Sequence, residues 1–128
     1  MSRLVAGAAF INSERKVLTV PNRSGSQVFV GGKIEEQETP LAALKRELAE
    51  ELPGAHVSDL WFYRSFSGRS RRGEVLEIYI FIGEVEGDIT PGSELTGHEP
   101  RWVGFDDYQG SEVMRTIMAA LKKDGYIM

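Results

Sequence analysis

One segment, from Gly31 to Glu51, constrains this sequence more than any other part of it. Thr39 and Pro40 predict a helix start, because threonine caps free amides and proline suits the first helical position. Leucines then recur every three or four residues, at Leu41, Leu44, Leu48 and Leu52, which predicts one buried face. Pro53 disfavours helical geometry for the residue before it, so the helix should end at Leu52.

Three carboxylates lie beside that leucine face, at Glu47, Glu50 and Glu51. Side chains three and four residues apart are neighbours on a helix, so these like charges repel one another. A hard divalent cation, which prefers oxygen ligands, would relieve the repulsion. A solvated acidic surface is the alternative, because runs of charge usually form one. The residues around the three carboxylates favour the cation.

Five residues separate Gly32 from Glu38, and seven more precede the sequence Arg-Glu-Leu-Ala-Glu-Glu that starts at Arg46. This pattern resembles the Nudix box, and all charged positions of the box are present. Two places depart from it. Val30 stands where the family usually has proline, which predicts a looser turn into the site, and Pro53 and Gly54 occupy the final glycine and aliphatic positions.

The resemblance implies a Nudix-type α/β/α sandwich, in which a mixed β-sheet lies between the box helix and a C-terminal helix. It also implies metal-dependent hydrolysis of a diphosphate linkage in a nucleoside diphosphate joined to a further group. The family signatures for ADP-ribose, diadenosine polyphosphates, coenzyme A and NADH are missing, which leaves a MutT-like enzyme for nucleoside triphosphates, modified ones included. A nucleotide-binding module without catalysis and an RNA 5′-end pyrophosphohydrolase stay open as alternatives.

The resemblance further implies roles for individual residues. The metal ligands for Mg²⁺ or Mn²⁺ are the carbonyl of Gly31 and the carboxylates of Glu47, Glu50 and Glu51. Glu38 and Arg46 form an orienting ion pair. The residues that face substrate phosphate are Arg23, Lys33 and Arg46, although a solvated surface position is an equal alternative for Arg23.

The catalytic residues implied are Glu50, Glu51 and Glu99. Relatives place the general base either inside the box or on the loop before a Trp-Val strand, where Glu94 and Glu99 are the candidates. Glu99 directly precedes Pro100, Arg101 and Trp102, and a buried tryptophan would hold it more rigidly than a glycine-flanked loop holds Glu94. Pairing of Glu99 with a surface cation is the alternative.

Apolar runs predict the sheet. They are Leu4–Ile11, Val17–Val20, Val28–Val30, Val57–Phe66, Val75–Val85 and Trp102–Val103, and the third leads into a turn at the two glycines. The fifth run is apolar on both faces, which predicts helices on both sides of the sheet. Ser111 should cap a final helix whose core face carries Met114, Ile117, Met118 and Leu121.

Composition bounds the remaining alternatives. A chain of 128 residues, 41% of them hydrophobic, suits a single domain over residues 1–128. Its net charge of −4 argues against general nucleic-acid binding, and the absence of cysteine excludes disulfides and thiolate chemistry. One basic segment, Ser67–Gly73 with Arg69, Arg71 and Arg72, is either a solvated hairpin tip or a phosphate or RNA contact. The resemblance implies a small nucleotide as partner, and together with the composition it leads us to expect no membrane, a cytoplasmic location, and a homodimer as an open option.

Overall fold

Residues 2–21, 26–69, 73–89 and 99–128 are described by the computed structural model, and they form a sheet and two helices. The strands are β1 (Ser2–Phe10), β2 (Val17–Pro21), β3 (Gln27–Lys33), β4 (Ala55–Arg69), β5 (Val75–Gly87) and β6 (Arg101–Val103). The helices are α1 (Pro40–Glu51) and α2 (Glu112–Lys123). Within these described ranges no helix is long and apolar enough to cross a membrane.

The six strands form one mixed sheet in the order β4-β5-β1-β3-β2-β6. β1 pairs with β5 in parallel, and the other neighbouring strands pair antiparallel. Side chains alternate along β5, so that Ile78 and Ile80 pack with α2 while Phe81 packs with α1. The sheet is therefore covered by one helix on each side, which confirms the predicted α/β/α sandwich.

α1 follows the sequence prediction closely. Thr39 caps it, and its Oγ1 accepts a hydrogen bond of 3.1 Å from the Ala42 N–H. The helix ends at Glu51, and the N–H of Leu52 still donates to the Leu48 carbonyl at 2.8 Å. The leucine face is buried at Leu44, Leu48 and Leu52 and partly buried at Leu41. Pro53 thus terminates the helix without removing Glu50 and Glu51 from its last turn.

The prediction of a turn at Gly31 and Gly32 is wrong, because both glycines belong to β3. They pair with Gly7 and Ala6 of β1, which continues alongside and extends the strand to Lys33. Gly31 has φ +147°, and a Cβ there would lie 2.1 Å from the Ala6 carbonyl oxygen. Glycine is needed here for the close approach of two strands, which sequence reasoning mistook for a turn.

α2 begins after Ser111, whose Oγ accepts a hydrogen bond from the Met114 N–H, as predicted. Its buried residues are Val113, Ile117, Met118 and Leu121. Met114 is only partly buried, so the predicted core face is rotated slightly towards Val113. Trp102, predicted to lie in the core, is partly buried on the α1 side.

Candidate active site

Two carboxylates of α1 meet the glycine segment of β3. Glu51 is 7% exposed, and its Oε1 accepts a hydrogen bond of 2.9 Å from the Gly31 N–H. A Cβ on Gly32 would lie 2.4 Å from the carboxyl carbon of Glu47, so any larger residue would displace that carboxylate. β2 pairs with β3 only as far as Phe29, which leaves the Gly31 N–H for Glu51. The two glycines therefore let α1 place carboxylates directly against the sheet.

Arg46 ties this part of α1 to the chain before it. Its Nε and Nη2 donate to the two oxygens of Glu38 at 2.8 and 2.9 Å, which is a bidentate pair. Nη2 also donates to the Lys33 carbonyl at 3.0 Å, and Nη1 donates to Glu47 Oε1 at 2.8 Å. The ion pair implied by the sequence is thus present, and the same guanidinium positions the Glu47 carboxylate.

These contacts change the proton affinity of the pair. The hydrogen bonds from Arg46, and then the one from the Glu35 N–H, lower the pKa of Glu38 from 4.5 to about 2. The hydrogen bonds to Glu38 and Glu47 raise the pKa of Arg46 above its ordinary value. Both groups are consequently charged throughout the neutral range, and the pair cannot serve as a proton donor or acceptor near neutral pH.

Glu50 occupies a more open position on the same flank. Its side chain is 45% exposed, and its Oε1 lies 3.9 Å from Arg46 Nη1. An exposed glutamate can change rotamer at small cost, whereas Glu51 is buried and hydrogen-bonded. The three carboxylates thus differ in freedom: Glu51 is fixed by β3, Glu47 by Arg46, and Glu50 faces solvent.

The donor set fits a hard divalent cation by its chemistry, but it is not preassembled. Carboxylate oxygens are the ligands that Mg²⁺ and Mn²⁺ prefer. In the part of the chain that the structure describes, however, no three His, Cys, Asp or Glu side chains are close enough together to hold a metal ion. Glu47 and Glu51 already meet the Gly31–Gly32 segment, whereas Glu50 is 45% exposed on the same flank.

An apolar cavity of about 320 Å³ lies on the opposite face of the same glycine segment. Its floor is formed by β1, β3 and β5, and the first turn of α2 closes one side. The apolar lining comes from Val5, Phe29, Leu76, Ile78, Ile80, Val113 and Met114. Pockets of this size and apolar character are typical of small-molecule sites. Gly31 and Gly32 therefore separate a carboxylate cluster from a cavity that can hold an apolar ring.

The remaining candidate residues lie outside the carboxylate cluster. Lys33 is exposed at the end of β3, and only its carbonyl contacts Arg46. Glu99 is exposed, and the chain before β6 runs away from Gly31, because Arg101 pairs with Thr19 and Thr19 pairs with Phe29. The structure does not bring Glu99 to the box. Arg23, Glu94, Arg71 and Arg72 lie outside the described residues.

Sequence reasoning missed the cavity and the cation at its mouth, Arg3. A signal was available, since Arg3 and Val5 alternate with Leu4 on β1 and so share one face of a strand. The pairing of β1 with β5 and β3 was not visible in the sequence, because it joins segments far apart in the chain. The residues of the cavity come from four such segments.

Solved structures with the same fold include hydrolases of different specificity. The MutT NUDIX hydrolase from Burkholderia pseudomallei aligns at TM-score 0.76 and 20% identity, over 93% of this chain and 97% of that one. A NUDIX hydrolase from Nitrosomonas europaea aligns at 0.73 and 17%, over 100% and 94%. An ADP-ribose pyrophosphatase from Streptococcus suis aligns at 0.65 and 18%, over 96% and 92%. At these identities the likeness is one of fold.

A search of curated proteins finds no significant match. A comparison with sequence models of protein families, in contrast, identifies the family. The sequence model of the NUDIX domain matches residues 1–121, which is nearly the whole chain and includes the complete segment from Gly31 to Glu51. The chain therefore belongs to the NUDIX domain family of hydrolases.

Proposed function

We propose that this chain hydrolyses a diphosphate linkage in a nucleoside diphosphate joined to a further group, in particular a nucleoside triphosphate, with Mg²⁺ or Mn²⁺. The observation that carries the proposal is the meeting of Glu47 and Glu51 with the glycine segment of β3, whose opposite face lines an apolar cavity. A diphosphate needs a charged site, and a nucleobase needs an apolar one. The two environments share Gly31 and Gly32.

The residues that would hold the cation are Glu47, Glu50, Glu51 and the carbonyl of Gly31. Nudix hydrolases generally use divalent metals, and carboxylate-rich oxygen sites suit Mg²⁺. When bound, such an ion neutralises phosphate oxygens and lowers the pKa of water. The arrangement of the chain supports this assignment, because Glu51 is held by the Gly31 N–H and Glu47 by Arg46.

The other residues of the chain position the reactants. Arg46 and Glu38 fix the carboxylate of Glu47, and Lys33 offers a cation at the end of β3 to a phosphate oxygen. Glu99, on the chain before β6, remains our proposed general base, with Glu50 as its competitor inside the helix. A move of Glu99 towards the site on substrate binding is required for that role.

The substrate class follows from the cavity and from the charge of the site. An apolar cavity of about 320 Å³ suits the flat ring of a nucleobase, and triphosphates offer the diphosphate linkage in its most charged form. The fold alone does not decide between substrates, since an ADP-ribose pyrophosphatase and a MutT protein share it. Pro53 leaves Glu50 and Glu51 on the last turn of α1, which favours catalysis over nucleotide binding alone.

A substrate panel tests the proposal. Nucleoside triphosphates, oxidised nucleoside triphosphates, ADP-ribose and 5′-triphosphorylated RNA are incubated with Mg²⁺, with Mn²⁺ or with a chelator, and released phosphate and pyrophosphate are measured. We expect turnover of triphosphates that the chelator abolishes and Mg²⁺ restores. Binding without turnover would replace the proposal by the binding module, and turnover of RNA alone would replace it by 5′-end hydrolysis. The cytoplasmic location and a homodimer stay predictions.

A further inference from the structure

Arg3 lines two adjoining spaces. It lies at the mouth of the apolar cavity, and it also lines a second depression of about 700 Å³ that Lys33 shares. Arg3 is the charged side chain among the described residues that line the cavity. Arg3 therefore borders both the cavity and the depression that Lys33 lines.

The strand register places Arg3 and Lys33 close together. Lys33 pairs with Val5, which lies two residues after Arg3 on β1, so the three side chains share the face of the sheet that holds the cavity. Diagonal neighbours on antiparallel strands lie within reach of each other when their side chains are long. The sheet thus presents two cations side by side.

The two cations lack partners. Within the ranges that the structure describes, neither side chain lies within 4.0 Å of a carboxylate, in contrast to Arg46, which pairs with Glu38 and Glu47. Four carboxylates line the second depression, Glu35, Glu36, Glu38 and Glu74. Glu38 is held by Arg46 and Glu35 lies 4.0 Å from it. Among the described residues, neither Glu36 nor Glu74 forms an ion pair with Arg3 or Lys33. Two adjacent unpaired cations repel each other, and a group with two or more negative charges relieves that repulsion.

We propose that Arg3, together with Lys33, binds an anionic phosphate group of the substrate, and that Arg3 makes the enzyme favour substrates with more phosphate charge. The inference rests on the proposed function. A planar guanidinium binds phosphate through two parallel hydrogen bonds, which an ammonium group does not do. Arg3 therefore distinguishes a triphosphate from a nucleoside diphosphate joined to a neutral sugar.

The test compares Arg3→Gln and Arg3→Lys with Lys45→Gln. Lys45 is exposed on α1 and lines neither space, so its substitution removes one positive charge at a distance from the cavity. For each protein, kcat and KM are measured with a nucleoside triphosphate and with ADP-ribose. Binding of inorganic tripolyphosphate is measured by calorimetry with and without Mg²⁺, and this readout does not require turnover.

We expect Arg3→Gln to raise KM for the triphosphate by about tenfold with kcat nearly unchanged, because a contact of this kind is made in the ground state and in the transition state. Tripolyphosphate binding should weaken by a similar factor, Arg3→Lys should lie between, and KM for ADP-ribose should rise less. Lys45→Gln should resemble the wild type in all assays.

Three results would overturn the inference: equal behaviour of Arg3→Gln and Lys45→Gln, equal rises in KM for both substrates, or no tripolyphosphate binding by the wild type. A different result would show that the proposed function is wrong while the inference holds. In that case tripolyphosphate would still bind in an Arg3-dependent way, but no nucleotide would be hydrolysed.

Discussion

The two helices of this protein have the same length and the same kind of cap, but they place charge in opposite ways. α1 and α2 each contain 12 residues and begin after a hydroxyl side chain, Thr39 or Ser111. α2 has an acidic residue, Glu112, in its first turn and two lysines in its last, which complements the helix dipole. α1 has no basic residue in its last turn, where Glu50 and Glu51 lie instead.

The difference is what the proposed metal site on α1 requires, whereas the charges of α2 stabilise its helix. Each carboxylate at a helix C-terminus is unfavourable by about 0.3–1 kcal/mol, and the repulsion between neighbouring glutamates adds to this. The Gly31 N–H and Arg46 offset part of the cost through hydrogen bonds to Glu51 and Glu47. A divalent cation would offset the rest, so the comparison predicts where substitutions cost activity and where they do not.

The largest effect is expected at Glu51. Glu51→Gln keeps an oxygen that can accept the Gly31 N–H but removes the charge, so hydrolysis should fall by more than about 100-fold while the fold stays intact. Glu112→Gln in α2 is the matched control and should retain nearly full kcat/KM. Steady-state kinetics at saturating Mg²⁺ measures both, and circular dichroism checks the fold. Wild-type turnover by Glu51→Gln would remove Glu51 from the site.

The substitution Glu99→Gln tests whether the general base lies outside α1. If Glu99 is the general base, kcat should fall by about 10²-fold, the usual scale for loss of a base, while Mg²⁺ affinity stays unchanged. Rate measurements and a metal titration on the same variant separate the two effects. A near-normal kcat for Glu99→Gln, together with an inactive Glu50→Gln, would move the base into α1.

The Glu38–Arg46 pair should produce a pH dependence of stability that α2 does not share. The folded state lowers the pKa of Glu38 from 4.5 to about 2, so its contribution is fully present above 4.5 and is lost as the pH falls towards 2. Urea unfolding of wild type and Glu38→Gln across this range should show a difference in unfolding free energy that shrinks on acidification. Glu36→Gln, an exposed neighbour, is the control, and a difference that does not vary with pH would refute the assignment.

Much of the fold was readable from local sequence. The caps at Thr39 and Ser111, the end of α1 shortly before Pro53 and the strands of the sheet all depend on residues close together in the chain. The pairing of Glu38 with Arg46 was implied by the motif and is present in the structure. These features are local, so the sequence alone was enough to predict them.

Features that depend on the pairing of strands far apart in the chain could not be predicted from the sequence. The two glycines belong to β3 because β1 runs beside them, and the cavity forms because β1, β3, β5 and α2 converge. Arg3 becomes a candidate only once the register puts it near Lys33. The position of Glu99 depends on the pairing of β6 with β2, which carries it away from Gly31 in this structure. Such long-range pairing leaves no periodic signal in a single sequence.

The most direct test of the account is thermal unfolding with and without Mg²⁺ at constant ionic strength. A ligand that binds only the folded state stabilises it by about 2.7 kcal/mol at 100 times its Kd, which is a rise in Tm of several degrees. We predict that rise for the wild type and for Glu112→Gln, and little or none for Glu51→Gln. An equal rise in Glu51→Gln, or no rise in the wild type, would contradict the claim that the last turn of α1 holds a divalent cation.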